Sequence, residues 1–413
     1  MRVLLEIGLA AGVEFNPQWL ILDHPTQGLL DTHYLAPDDA LADYSHRLMS
    51  VTVERSSTRS VGPLIEYNAG TCTATVVDFD GSLDPSTLEA AGIVVPGVMM
   101  RVRVEHGGLI YPIWSGFVDS MLPSTMSPEH SVVTITGTDG MSRLTRYKRP
   151  AGPAVGAGEN TGARIHRILD SAGWPAARRS IGTGASTLQA TTLEGIALDE
   201  AQQANLNEIG EFYVNASGDM VFRGRNAVIT DTRSAVSQGV FGSGAGELPY
   251  VGRPGLSSDI GQLRNRIVVT REGGGTLERS DLDSIDRNGD HPYEEMLTVT
   301  DDDQAAGWAG YVLAQTKAPE FRFTTLTIDT RARPDALIPH AVGREIGDRI
   351  TVVRRAPGGI VDARDVYIRS ISHTWTGADR WTTNWGLQPT SKYPFLILDH
   401  PTQGLLDVNY LAY

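Results

Sequence analysis

Pro96–Val118 reads PGVMMRVRVEHGGLIYPIWSGFV. Met99–Glu105 alternates apolar and polar side chains, Gly107-Gly108 offers a tight turn, and Tyr111–Val118 runs back as a second strand. Further strands flank this pair: Ser131–Thr138 after it, and before it Thr71–Asp78, Leu48–Glu54 and the short Arg2–Gly8, with Asp80-Gly81 and Asp139-Gly140 as turns. Strands at such regular spacing predict a compact β-barrel or sandwich. The same order recurs late in the chain, where Ile346-Gly347-Asp348 leads into Arg349–Arg355, a Gly358-Gly359 turn, Val366–His373 and Arg380–Leu387, preceded by Arg322–Asp329. The likeness is one of pattern rather than of letters, and short barrels share such patterns by convergence. It predicts that residues 1–150 and 264–395 are related β-barrels.

Between them the period changes. Arg149–Thr161, rich in Gly, Ala and Pro, reads as a linker; Thr161 is the expected N-cap of a helix that places Ile165, Ile168 and Leu169 on one face and closes at Gly173. A second helix is expected over Leu198–Gly210, and Phe212–Val214 and Met220–Phe222 form a hairpin around Asn215–Asp219. These make a small α+β insertion over 151–263. Asn265–Thr270 opens the second β region, interrupted by a helix from Asp301-Asp302-Asp303 that buries Trp308, Val312 and Leu313. Residues 396–413 form a C-terminal arm.

That arm carries a repeat. Leu20–Ala36 (LILDHPTQGLLDTHYLA) and Leu396–Ala412 (LILDHPTQGLLDVNYLA) differ only at Thr32/Val408 and His33/Asn409. Ordering a residue costs about 1–2 kcal/mol of backbone entropy, so an isolated segment with a few apolar anchors needs a groove. Two near-identical segments imply two near-identical grooves, on duplicated domains or around a ring; the competing reading is a recent duplication with no separate role. The expected contact residues are Leu20, Ile21, Leu22, Pro25, Leu29, Leu30 and Tyr34 in the first copy and Leu396, Ile397, Leu398, Pro401, Leu405, Leu406 and Tyr410 in the second, around an Asp-His-Pro-Thr-Gln-Gly turn.

Composition narrows the function classes. The 413 residues exceed one core, 41% are hydrophobic, 20% charged, and no apolar run approaches eighteen residues. Glu6 interrupts the apolar start, so no signal peptide is read there. Cys72 is the only cysteine, which removes disulfide frameworks and cysteine metal clusters, and it sits as a small residue in an alternating strand. A net charge of −14 argues against gripping nucleic acid and suits a surface past which a polyanion slides.

Catalytic motifs are missing: no HExxH, GxSxG, P-loop or Cys/His cluster occurs. Asp281–Asp290 (DLDSIDRNGD) has carboxylates for a hard cation but lacks the glycine and glutamate that a calcium loop needs, so it reads as an exposed acidic loop. Adjacent Asp23/His24 and Asp399/His400 point to opposite sides of an extended chain and read as turn formers. Trp375, Trp381 and Trp385 have the residue type for stacking sugars, but Trp381 and Trp385 share one strand face and read as sheet packing. No catalytic residue, metal site or cofactor is expected.

Trp19, Val51–Arg55 and the run Ala69–Pro85 (AGTCTATVVDFDGSLDP) resemble the opening domain of minor tail proteins from long-tailed (siphovirus-type) phages of actinobacteria. Trp114–Val118, Thr138-Asp139, Ala201–Arg225 and Ile371–Trp375 through Trp381 and Leu387 are similar to the remaining tail-hub modules. The resemblance covers nearly the whole chain through short motifs, and the chain departs from it in carrying Leu20–Ala36 where a shorter connection is usual. It implies a mainly β fold with two tube-type β-barrel domains plus a small α+β domain. Three copies would form a pseudo-sixfold ring at the virion tail tip. The implied function is a structural adaptor between the tail tube and host-recognition proteins, framing the DNA channel. Its implied partners are a distal tail protein, a tape measure protein and receptor-binding tail proteins, with no sequence-specific nucleic-acid binding and no stable membrane insertion. The rival readings are a tail-associated cell-wall hydrolase, which needs a pocket with perturbed carboxylates, and a glycan-binding tail protein, which needs an exposed aromatic patch.

Overall fold

In the computed structural model Met99–Glu105 and Tyr111–Val118 are part of a longer antiparallel meander. The structure describes residues 1–8, 41–90, 95–127, 130–150, 152–257, 260–377 and 380–390. Both copies of the repeat, with all fourteen expected contact residues, lie outside the described residues, as do Asp23/His24 and Asp399/His400.

The first half contributes β1 (Arg2–Ile7), β2 (Leu48–Arg55), β3 (Thr71–Asp78), the short helix α1 (Pro85–Ala90), β4 (Met99–His106), β5 (Leu109–Ser127) and β6 (His130–Thr138). Gly107 and Gly108 turn β4 into β5 with both φ angles positive, the geometry that matches strand twist in a two-residue hairpin. The insertion supplies α2 (Thr161–Ser171), α3 (Ala197–Glu208), β7 (Glu211–Val214) and β8 (Met220–Arg223). Asn160, not Thr161, caps α2: it is extended and its side chain accepts from the Ala163 N–H at 2.8 Å. The second half holds β9 (Val240–Phe241), β10 (Gly255–Ser257), α4 (Asp302–Thr316), β11 (Arg322–Asp329), α5 (Pro334–Gly343), β12 (Arg349–Ala356), β13 (Ile360–Trp375) and β14 (Trp381–Pro389).

Strands of both halves join one 13-stranded sheet in the order β10-β11-β14-β13-β2-β3-β6-β5-β4-β1, ending on the two-residue strand Ala42–Asp43 beside β1, with β12 paired to β13 and β9 to β12. Among the described residues the halves meet edge to edge in this sheet, and no pairing closes either half on itself. Val240–Phe241 and Gly255–Ser257 pair into the second half of the large sheet. Arg266–Arg271 instead centres its own three-stranded sheet with Thr276–Ser280 and Pro292–Leu297, covered by α4. Trp308 and Val312 of α4 are buried, whereas Leu313 is half-buried, because a single covered face of a helix has room for only one stripe.

Within the large sheet the two halves repeat at fixed spacing. Met99 opposite Phe117 recurs as Arg349 opposite Tyr367, and Phe117 opposite Thr138 recurs as Tyr367 opposite Gln388, an offset of 250 residues (349 against 99). Both meanders carry a bulge at the same level, between Val118 and Ser120 and between Ile368 and Ser370. Both are entered through a left-handed glycine, Gly97 (φ 94°) and Gly347 (φ 89°), whose N–H donates to Val118 O and Ile368 O respectively, each at 2.8 Å. Strand order extends the match outward: β2-β3-β6-β5-β4-β1 in the first half corresponds to β10-β11-β14-β13-β12-β9 in the second. Inward-facing residues of both halves, among them Val102, Trp114, Ile135, Ile350, Ile371, Trp381 and Trp385, belong to one continuous buried core.

Candidate assembly surfaces

The seam between the halves rests on one long strand. β13 pairs with β12 along its first half, then with β2 from Ile371 opposite Arg55 to Trp375 opposite Val51. Val51, Val53 and Ile371 are buried there. His373, opposite Val53, is also buried, its Nδ1 3.0 Å from Thr383 Oγ1. Burial, with a smaller contribution from the Arg55 charge, pushes its pKa down to about 3 and keeps the ring neutral.

Charges lock the insertion onto the seam. Arg55 Nη1 donates to Glu345 Oε1 at 2.5 Å, and Glu345 Oε2 accepts the Ala216 N–H at 3.0 Å, so one carboxylate ties β2, the entry to β12 and the β7–β8 turn. Arg369 donates to Glu211 of β7 and, at 2.8 Å, to Gln388 of β14. Arg223 of β8 reaches Asp231 at 3.2 Å and Glu211 at 3.4 Å. A guanidinium removed from water needs such partners, since losing one strands the other as an uncompensated buried charge. Gly347 makes room for Arg223: a Cβ there would lie 1.7 Å from Arg223 Nη1.

A cleft of about 810 Å³ opens beside this cluster, lined among others by Tyr111, Tyr213, Arg223, Arg233 and Glu345. Its charged groups are engaged: Arg233 Nε donates to Asp348 Oδ1 at 2.7 Å, and Asp231 and Glu345 are held by Arg223 and Arg55. Burial raises the Asp348 carboxyl, and the hydrogen bond from Arg233 opposes that rise. The arrangement clamps elements together and presents no unengaged acid–base pair among the charged residues named.

The remaining chemistry-bearing candidates are structural as placed. Asp281 caps a helix over Leu282–Asn288, accepting from Ser284 N at 2.8 Å and Lys317 Nζ at 2.9 Å, and Asp290 pairs with Arg266, so the expected acidic loop is a capped helix. The capping geometry that Asp supplies at an N-terminus outweighs the charge run. Among the described residues no group of three or more His, Cys, Asp or Glu is placed to hold a metal. Trp381 and Trp385 are fully buried and Trp375 is half-buried. Cys72 is buried in β3, and burial pushes its thiol pKa far up. No helix among the described residues is long and apolar enough to cross a membrane.

Exposed apolar pairs mark two of the turns. The β4–β5 turn displays Leu109 and Ile110, and the β12–β13 turn displays Ile360 and Val361, each more than half exposed. The tips occupy equivalent places in the two meanders. Their signal was present in the sequence as apolar pairs directly after Gly-Gly turns. The Arg55–Glu345 clamp had no such signal, because its partners lie 290 residues apart.

No known protein-family profile matches the chain, and no curated protein matches it in sequence. Solved structures do match. The tail protein from Neisseria meningitidis MC58 superposes with a TM-score of 0.57 at 14% identity, over 85% of this chain and 94% of that chain. The 43 kDa tail protein of prophage MuSo2 from Shewanella oneidensis gives 0.55 at 13%, over 94% and 98%. A chain of the Francisella PdpA–VgrG complex gives 0.50 at 10%, over 94% and 58%. At these identities the likeness is one of fold: the chain has a mainly β, phage-tail-protein fold.

Proposed function

We propose that the chain is a structural component of a phage tail, a tail-tip hub that assembles as a homotrimeric ring. The observation that carries this is the 250-residue offset between the meanders. A chain containing two equivalent sheet units presents two equivalent tips, so three copies offer six quasi-equivalent positions to a sixfold tube while keeping threefold symmetry at the other face. The tail-protein fold supports the same reading. In it, the Leu109/Ile110 and Ile360/Val361 tips meet a distal tail protein, a tape measure protein or receptor-binding tail proteins, and the net charge of −14 gives a lumen along which DNA slides. The chain's work is mechanical, and its location the tail tip of the virion.

The two repeat arms act here as straps, seating Leu20–Leu22 and Leu29-Leu30, and Leu396–Leu398 and Leu405-Leu406, in grooves of neighbours at the high effective concentration of a tethered ligand. Native mass measurement of the purified protein tests the ring: a particle of three 44.6 kDa chains is expected, and a monomer at all concentrations and in tail particles sinks it. Truncation after Thr390 tests the straps, with incorporation into tails expected to fall while thermal unfolding stays in place.

A further inference from the structure

We infer that a cavity between α3 and the short strand Leu64–Tyr67 is a binding site for a primary alkylammonium group, carried by a free diamine or by a lysine side chain of another protein. The site lies within one chain and does not depend on the ring reading above.

The cavity holds about 190 Å³ and has walls from three parts of the chain: the strand Leu64–Tyr67, one side of α3 with the turn that ends it, and Glu295 of the strand Pro292–Leu297 in the small sheet. That volume is on the order of ten times the 10–15 Å³ that one water needs, so a single ordered water does not fill it. Asn205 is its buried polar wall, only 6% exposed. Its Nδ2 donates to Ile65 O at 3.3 Å, and among the described residues its Oδ1 accepts no hydrogen bond. The turn after α3 keeps that oxygen open. Ile209 takes a left-handed φ of 56°, and the Gly210 N–H donates back to Asn205 O at 3.1 Å. A Cβ on Gly210, itself a lining residue, would stand 3.0 Å from Asn205 Oδ1, so the glycine leaves the oxygen facing the cavity rather than a side chain. A buried acceptor without a donor is destabilising, and a ligand N–H relieves it.

The other polar walls share this preference. Gln202 and Gln203 spend their side-chain nitrogens on Tyr67 O at 3.2 Å and Met296 O at 2.9 Å, which leaves their amide oxygens as acceptors. Glu66, Asp199 and Glu295 add three carboxylates, and no lysine or arginine stands among the described lining residues. Such a set of acceptors calls for a donor-rich cation. Leu64, Leu206 and Ile209 supply apolar wall along which a methylene chain can lie. An alkylammonium offers both parts, three N–H donors on a thin apolar stem. A bare metal ion has no stem, and a guanidinium fork suits a bidentate carboxylate better than one buried amide oxygen. Because its walls come from the first half, the insertion and the small sheet, an occupant ties three modules together.

The test is calorimetric titration of the full chain at low salt with putrescine, with butanediol as the uncharged counterpart, magnesium chloride as a cation without a stem, and Nα-acetyl-lysine amide as a lysine side chain on a peptide backbone. Putrescine is expected to bind once per chain and to raise the unfolding temperature, as any ligand of the native state alone does; butanediol should do neither. Binding by the lysine amide, with or without putrescine, assigns the site to a protein lysine, whereas binding by putrescine alone assigns it to a free diamine. Asp199→Asn combined with Glu295→Gln should weaken binding about tenfold through the loss of two partly exposed charges, with the ligand-free melt unchanged. Asn205→Leu should abolish binding; it also withdraws the donor from Ile65 O, which the carboxylate variant leaves in place. No binding by either amine, equal binding of butanediol, magnesium that binds while putrescine cannot displace it, or affinity that the carboxylate variant does not lower overturns the assignment.

Discussion

The first half pairs its outermost long strand, β1, antiparallel to β4 over six residue pairs, whereas the second pairs β9 parallel to β12 over two. The two halves agree residue for residue at the entry to the meander and along its second hairpin, and diverge at the tip of the first hairpin and at the sheet edges. A slip of one residue inside a sheet turns every side chain to the wrong face, while an edge strand has one neighbour to satisfy and tolerates either direction. The divergence is also where the halves differ in attachment: the eight-residue β2 reaches β13, whereas β10 has three residues and pairs with β11.

The comparison breaks most easily at the cores. Trp385 and Ile135 hold equivalent register positions, opposite Ile371 and Met121. Trp385→Ala should cost about 3–5 kcal/mol and Ile135→Ala about 2–5 kcal/mol. If the seam makes the halves one cooperative unit, calorimetry will show each variant shifting a single transition. Two separate transitions, one moving per variant, would show that the halves melt alone.

Removing the clamp comes next. Arg55→Ala leaves Glu345 without its cation at the point where both halves and the insertion meet, at a cost of about 3 kcal/mol. Denaturant unfolding that moves by less than about 0.5 kcal/mol, the scale of an ordinary surface change, would remove the clamp from the account.

The entry glycines sharpen the comparison further. Gly97→Ala meets open space and suffers only the left-handed backbone, about 1–2 kcal/mol. Gly347→Ala adds a collision with Arg223 and should cost distinctly more. Equal losses in thermal melts would mean that Arg223 moves aside freely.

Acid and base should separate the halves. His340 and His373, both in the second half, have pKa values lowered by burial to about 4 and about 3, so their contribution is present above the unfolded value near 6.5 and is lost as pH falls through 6.5 toward 3. In the first half, burial raises Asp139 to about 7 although Gly70 and Met141 N–H groups bond it, so its contribution is present below about 3.8 and is lost as pH rises through 7. These contributions oppose each other between about pH 4 and 7, so the unfolding temperature, measured across pH 4–8, should fall less on acidification in His373→Gln, with His340 supplying the remainder, and fall less on alkalinisation in Asp139→Asn. The smallest effect on stability belongs to the tips: Leu109→Ser with Ile360→Ser should stay within about 0.5 kcal/mol and lower incorporation into tails.

Strand order was legible because alternation and Gly-Gly turns are local, which is why Met99–Glu105 and Arg349–Arg355 could be matched with few letters in common. The joining of the halves was not, since the pairing of Arg55 with Ile371 spans more than 300 positions and leaves no periodic trace. Val240–Phe241 and Gly255–Ser257 escaped notice because strands of two or three residues have no period to read. The Asp281 helix was hidden by its charges, and the repeat residues, conspicuous as letters, lie outside the described structure.

The equal length of Gly97–Thr138 and Gly347–Gln388 has a practical corollary for protein engineering. Segments of equal length that share the entry glycine, the β5–β6 register and its bulge are exchangeable cassettes, the bulge at Val102/Arg103 with its two-residue turn offsetting the three-residue turn Pro357–Gly359. Writing either segment into both places would give a chain with true internal symmetry, and such a chain would report which of the natural differences between the two segments exist for the fold and which for what docks against it.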